Sequence, residues 1–114
     1  MLVNVYHIDD DLFEENMELY RDLTFGDFDG DSSTIKENSS LVARIEVDSL
    51  EAAFELTQNG VHPGLDSWEK GTHVDRLYEE NNRSTKVGDM IEVINEPNAP
   101  DGYYLVDSYG FKEL

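Results

Sequence analysis

The chain contains no cysteine, which excludes disulfides, thiolate metal centres and cysteine nucleophiles and fits a reducing compartment. Cations are scarce too: 8 lysines and arginines stand against 26 aspartates and glutamates, a net charge of −18. Nucleic acid and anionic membranes repel such a chain, so direct binding to either is excluded and any electrostatic partner must be basic. Long apolar runs are missing. The longest, Met90–Ile94 and Tyr103–Val106, fall far short of the ~20 residues that span a bilayer. No basic-then-apolar leader opens the chain, so the expectation is a soluble protein kept in the cytoplasm. Neither a phosphate-cradling glycine loop nor a Gly-x-Ser-x-Gly elbow is found.

What is present suffices for one folded domain. The 114 residues are 39% hydrophobic and 11% aromatic, enough apolar material to offset chain entropy over residues 1–114. Leu2 to Ile8 alternates with β-branched and aromatic enrichment and predicts a first strand. Asp9 and Asp10 then offer N-cap oxygens for a helix to about Leu23, with Leu12, Phe13, Met17, Leu19, Tyr20 and Leu23 on one arc at ~100° per residue. Thr24 to Ser40, with its glycines and Ser/Thr cluster, reads as a long loop. Leu41 to Val47 alternates as a second strand.

Asp48 followed by Glu51 is a capping-box-like start for a second helix, with Leu50, Ala53, Phe54 and Thr57 as its stripe and Asn59-Gly60 as its stop. His62 to Thr72 reads as a loop anchored by Trp68, and Val74 to Tyr78 as a short strand. Met90–Ile94 and Tyr103–Val106 are strands that pair across the turn-rich Asn95–Gly102. Phe111 and Leu114 close the core. The fold expected is α+β, two helices on a small, mainly antiparallel sheet, with Leu12, Phe13, Met17, Tyr20, Leu50, Phe54, Val93 and Val106 in one core.

The stretch Arg83-Ser84-Thr85-Lys86-Val87-Gly88-Asp89-Met90-Ile91-Glu92-Val93, followed by Tyr104-Leu105-Val106-Asp107-Ser108-Tyr109-Gly110-Phe111, resembles the Arg-Ser-x-x-Val-Gly-Asp and Gly-Phe pattern of YodL-type domains. These occur in small phage and plasmid accessory proteins. Leu50 to Thr57 is similar to the helix that precedes the pattern there. The resemblance spans Leu41 to Leu114 and implies a mobile-element origin rather than a chemistry. The Val-Gly-Asp turn also has a local reason: Gly88 supplies an unusual backbone angle and Asp89 bonds back to the turn.

Asp27-Phe28-Asp29-Gly30-Asp31 invites a calcium reading, but in an EF-hand register Ser32 stands at the glycine position, Thr34 at the apolar one and Asn38 at the terminal acid. His7, His62 and His73 lack the spacing of a helical metal site. Carboxylate pairs are too abundant to single out an acid and a base. Tyr103, Tyr104, Tyr109 and Phe111 neighbour Asp101, Asp107 and Glu113 rather than the Arg and Lys that accompany base-stacking aromatics. No catalytic residue, metal or cofactor is therefore assigned, and the chain is read as a binding protein rather than an enzyme.

The acidic segment carries the functional reading. Asp11, Glu15, Glu18 and Asp22 follow spacings of four, three and four, Glu14 lies beside them, and Asp27, Asp29 and Asp31 follow in the loop. Like charges at i and i+4 oppose helix formation, so something other than helix stability favours them. Carboxylates three or four residues apart on a helix approximate a phosphate row, given ~1.5 Å of rise per residue and one DNA charge per ~1.7 Å. The preferred reading is a phage-type inhibitor that mimics nucleic acid and covers the basic surface of a host nucleic-acid-binding protein or nuclease. Two alternatives stand beside it. One is halophilic acidity, against which ten acids clustered between Asp9 and Asp31 with one arginine argue. The other is a small-ligand or enzyme domain whose site the sequence does not reveal.

Overall fold

A computed structural model describes residues 2–25, 28–58, 74–76 (as backbone), 84–94, 102–107 and 110–114. Six strands, β1 (Leu2–Ile8), β2 (Ser39–Glu46), β3 (Val74–Arg76), β4 (Met90–Ile94), β5 (Gly102–Asp107) and β6 (Gly110–Glu113), form one sheet. Its order is β3-β2-β1-β4-β5-β6, and every neighbouring pair is antiparallel. The helices are α1 (Leu12–Glu15), α2 (Met17–Phe25), α3 (Ser32–Glu37) and α4 (Leu50–Leu56). The fold is α+β, and none of the described helices is long and apolar enough to cross a membrane.

Alternation along the strands sends side chains to both faces, and each face is covered by helix. Val3, Val5, Ile45, Ile91, Val93 and Val106 form one cluster with Ala53 of α4, and Leu50, Phe54 and Phe111 pack on it. Ile8, Met90 and Leu105 form a second cluster with Leu12, Leu23, Phe28 and Ile35 of the α1–α3 side. The single core expected from sequence is thus divided by the sheet: Leu12 and Tyr20 belong to one cluster, Leu50, Phe54, Val93 and Val106 to the other. Phe13 and Met17 belong to neither, being exposed.

Three further expectations are corrected. The helix from Asp9 to Leu23 is interrupted at Asn16, whose backbone leaves the helical region at φ −150° and ψ 79°. Asp9 does not cap it, because its carboxylate accepts from the Ser40 hydroxyl at 2.7 Å; Asp11 takes the N-cap position without a side-chain bond. The presumed loop Thr24–Ser40 contains α3, which Asp31 caps and Ile35 anchors in the core. The second helix starts one residue later than read, at Ser49, whose hydroxyl accepts from Ala52 N–H at 3.1 Å. Its expected stop at Asn59-Gly60, the Trp68 loop, His62 and His73 lie outside the described residues.

The turn before β4 behaves as its residues require. Gly88 has φ +101°, a conformation that costs L side chains energy. The Asp89 carboxylate accepts from Lys86 N–H at 2.8 Å. Gly88 N–H and the Asp89 carbonyl then bond Val106 of β5 at 3.0 and 2.8 Å.

Candidate interaction surface

The geometry of α1–α2 follows from Asn16, which is both the C-cap of α1 and an N-cap for α2. Its amide oxygen accepts from Leu19 N–H at 3.1 Å, a local alternative to continued helix that Asn side chains offer readily. The Asn16 carbonyl meanwhile starts the α2 ladder at Tyr20 N–H, 3.0 Å away. This break restarts the helical phase. Leu23 is fully buried and Leu19 and Tyr20 are half-buried, so Met17, Glu18, Arg21 and Phe25 form the outward face, with half-buried Asp22 at its margin. Phe25 is 73% exposed, Phe13 49% and Met17 44%. Phe13 sets its ring edge-on to Tyr20 with centroids 5.3 Å apart, outside the core.

Of the carboxylates singled out from sequence, Asp11, Glu14, Glu15 and Glu18 are exposed and Asp22 is half-buried. Among the described residues no ion pair holds any of the five. Asp11 and Glu15 are brought together: the Asp11 charge, with a hydrogen bond between the two side chains, raises the Glu15 pKa above the ordinary carboxylate value. The row is not a single helical line, since Asn16 divides it into two short arms. Asp29 is exposed in the connection to α3. Asp31 is exposed but engaged, accepting from the Ser33 hydroxyl at 2.6 Å and Thr34 N–H at 3.4 Å, and these bonds lower its pKa. Asp27 lies outside the described residues.

Two polar clusters inside the sheet layers escape a reading by composition. Glu92, on the otherwise apolar β4, is buried and accepts from Asn4 Nδ2 at 3.0 Å, Tyr6 OH at 3.1 Å and Lys36 Nζ at 3.5 Å. Burial pushes its pKa up, but bonds from Asn4 and Tyr103, the Lys36 charge and the Tyr6 bond outweigh this and hold it below the usual value. Lys36 sits over the Tyr103 and Tyr6 rings, 4.9 and 5.6 Å from their centroids. Its pKa is raised: burial opposes the charge, while Tyr103 and Glu92 favour it more. On the other face His7 Nε2 is 2.8 Å from the Thr85 hydroxyl and 3.9 Å from Asp89 Oδ2. Asp89 is fully buried and also accepts from Ile8 N–H at 2.9 Å. The signal for both clusters was a strand register: polar residues at alternate positions of apolar segments, whose partners only the pairing of β1 with β4 reveals.

These clusters fasten α3 and the β4 turn to the sheet, and their groups are consumed by one another. Asp11, Glu14, Glu15 and Glu18, with Phe13 and Phe25, are exposed instead. Among the described residues no group of three or more His, Asp or Glu side chains is placed to hold a metal ion. No family model, curated protein or solved structure matches the chain.

Proposed function

We propose that this chain is an acidic accessory protein that covers the basic, nucleic-acid-binding surface of another protein, its carboxylates taking the place of phosphates. The observation that carries the reading is the set Asp11, Glu14, Glu15 and Glu18, exposed and, among the described residues, without ion pairs. The Asp11–Glu15 pair is held close enough to raise the Glu15 pKa. Repulsion between like charges works against the helix that carries them, and a cationic partner would turn that cost into attraction. Asp22 and Asp29 extend the surface, with Asp27 next to them in sequence. Asp31 contributes less, because its carboxylate already caps α3. The partner chemistry is a groove of Arg and Lys, as a host nuclease or repressor presents to DNA. The resemblance of Leu41–Leu114 to YodL-type domains supports an origin in a phage or plasmid, where inhibitors of host nucleic-acid enzymes are useful.

The test is a double charge reversal, Glu15→Lys with Glu18→Lys. Both side chains are exposed, so the fold is retained and thermal melting does not fall. Proteins captured from a host lysate on the parent chain should be displaced by duplex DNA and by salt, as charge-steered complexes are. The reversed chain should capture them at least about tenfold more weakly. Equal capture by parent and reversed chains would overturn the reading.

A further inference from the structure

We infer that Phe13, Met17 and Phe25 are apolar anchors for a basic amphipathic segment of a partner protein, Lys or Arg flanking an apolar face. The inference rests on the reading that α1–α2 carries the docking surface, and it specifies what docks there. These are the exposed large hydrophobics among the described residues, and all lie in the two helices that carry Glu14, Glu15 and Glu18, which no ion pair holds among the described residues. Charge imitation of phosphates gives no use for them, and their contact with water is unfavourable. Phe13 is steadied by its edge-on contact with Tyr20, so little side-chain freedom is lost when it is covered. Met17 is unbranched and adapts to irregular apolar surfaces. Phe25 shares its stripe with Glu18 and Asp22, which places carboxylates beside the most exposed ring. Aromatic anchors bordered by polar groups are the usual centre of a protein interface.

Charge selects the occupant. A second copy of the chain would bring another −18 and the same carboxylates against this face. Nucleic acid and anionic lipid headgroups are repelled for the same reason. Arg21, exposed between Glu18 and Phe25, is outnumbered by Glu14, Glu15, Glu18 and Asp22. A cationic peptide with an apolar face satisfies both halves of the surface, the carboxylates through its Lys or Arg and the rings through its apolar side.

The test titrates the whole chain with two peptides of about 18 residues, five helical turns. One carries Leu and Lys at helical spacing, giving an apolar face. The other has the same composition scrambled so that no face forms. The parent should bind the first at least about tenfold more tightly than the second. Met17→Ser with Phe25→Ser should remove that preference while leaving affinity for the scrambled peptide and its salt dependence unchanged. Both positions are exposed, so thermal melting should stay at the parent value. Equal affinity of the parent for the two peptides, or a preference that survives in the double variant, would overturn the inference while leaving the charge reading intact. If neither peptide binds the parent in a salt-sensitive way, the charge reading falls and the inference with it.

Discussion

Asp89 and Glu92 lie three residues apart around the start of β4, and both are buried; Asp11 and Glu15 lie four apart at α1, and both are exposed. The buried acids are met by donors: Asp89 by Ile8 and Lys86 N–H groups, Glu92 by Asn4, Tyr6 and Lys36. The exposed acids are met by each other. Burial of a carboxylate is tolerable only when its oxygens are satisfied, so the first pair is bound into the architecture and cannot vary freely. The second pair contributes nothing to the fold that a neutral side chain would not. In a protein of net charge −18 the location of an acid, rather than the number of acids, separates those bound into the fold from those left to solvent.

The sharpest way to break that comparison is Asp89→Ala, which leaves the Ile8 and Lys86 N–H groups without their acceptor. A loss of about 3 kcal/mol is expected, since each buried orphan donor costs about 1–3 kcal/mol. Urea denaturation measures it, and a loss below about 1 kcal/mol would put Asp89 in the same class as the surface acids. Aromatics give the parallel contrast. Phe54 is half-buried and meets Phe111 edge-on at 6.5 Å, so Phe54→Ala should cost about 2 kcal/mol, under the ~3–5 of a fully buried phenylalanine. Phe25→Ala should stay within about 0.5 kcal/mol.

Glu92→Gln keeps an acceptor but loses the charge that Lys36 and the donors favour, and should cost about 1–2 kcal/mol at neutral pH. Because the folded-state pKa of Glu92 is lowered, its contribution is complete above the ordinary glutamate value, ~4.3. It disappears as pH falls through the lowered folded value. The difference between parent and Glu92→Gln should therefore shrink under acid, and a difference constant down to low pH would contradict the assigned network. The smallest effect has the opposite sign. Glu15→Gln should raise the melting temperature slightly at neutral pH and low salt by relieving Asp11. Since the Glu15 pKa is raised in the folded state, the gain is present above that value and vanishes as acid protonates the parent's Glu15. Added salt should also erase it, and a gain insensitive to salt would assign it to helix propensity instead.

The strands were largely legible. Leu2–Ile8 and Met90–Ile94 are strands with the boundaries their alternation implies, and Val74–Arg76 lies within the expected Val74–Tyr78, whereas β6 at Gly110–Glu113 was not read as a strand. The Gly88-Asp89 turn was readable because one residue needed a positive φ and the next an acceptor role. The helices were harder where one polar residue decides. Asn16 fits a helical arc by position, yet its side chain ends one helix and starts another, which rotates Phe13 and Met17 into solvent. The α3 segment offers only Ile35 as an apolar residue, too little to show a period, although Asp31 before it and Lys36 near its end were usable end signals. Division of the core into two layers depends on helices returning to opposite sheet faces, a long-range property that no local pattern contains. Of the candidate surface, the acids were legible by spacing alone, while Phe13 and Met17 were read as core and Phe25 as part of a loop, and their exposure became visible only once the phase restarted at Asn16.

The place of β1 in the sheet has a consequence for biosynthesis. Leu2 pairs with Glu46 on one side and Ile94 on the other, so β1, one of the two central strands, has one neighbour nearby in sequence and the other almost ninety residues on. While the chain is being made, one edge of Leu2–Ile8 stays open after β2 has joined, a template on which other nascent chains could add strands. The segment that follows it immediately carries ten acids between Asp9 and Asp31. Like charges so placed repel one another, and charged residues beside aggregation-prone strands act as gatekeepers, so aggregation during refolding is expected to rise when the acids from Asp9 to Asp31 are neutralised, which light scattering would measure.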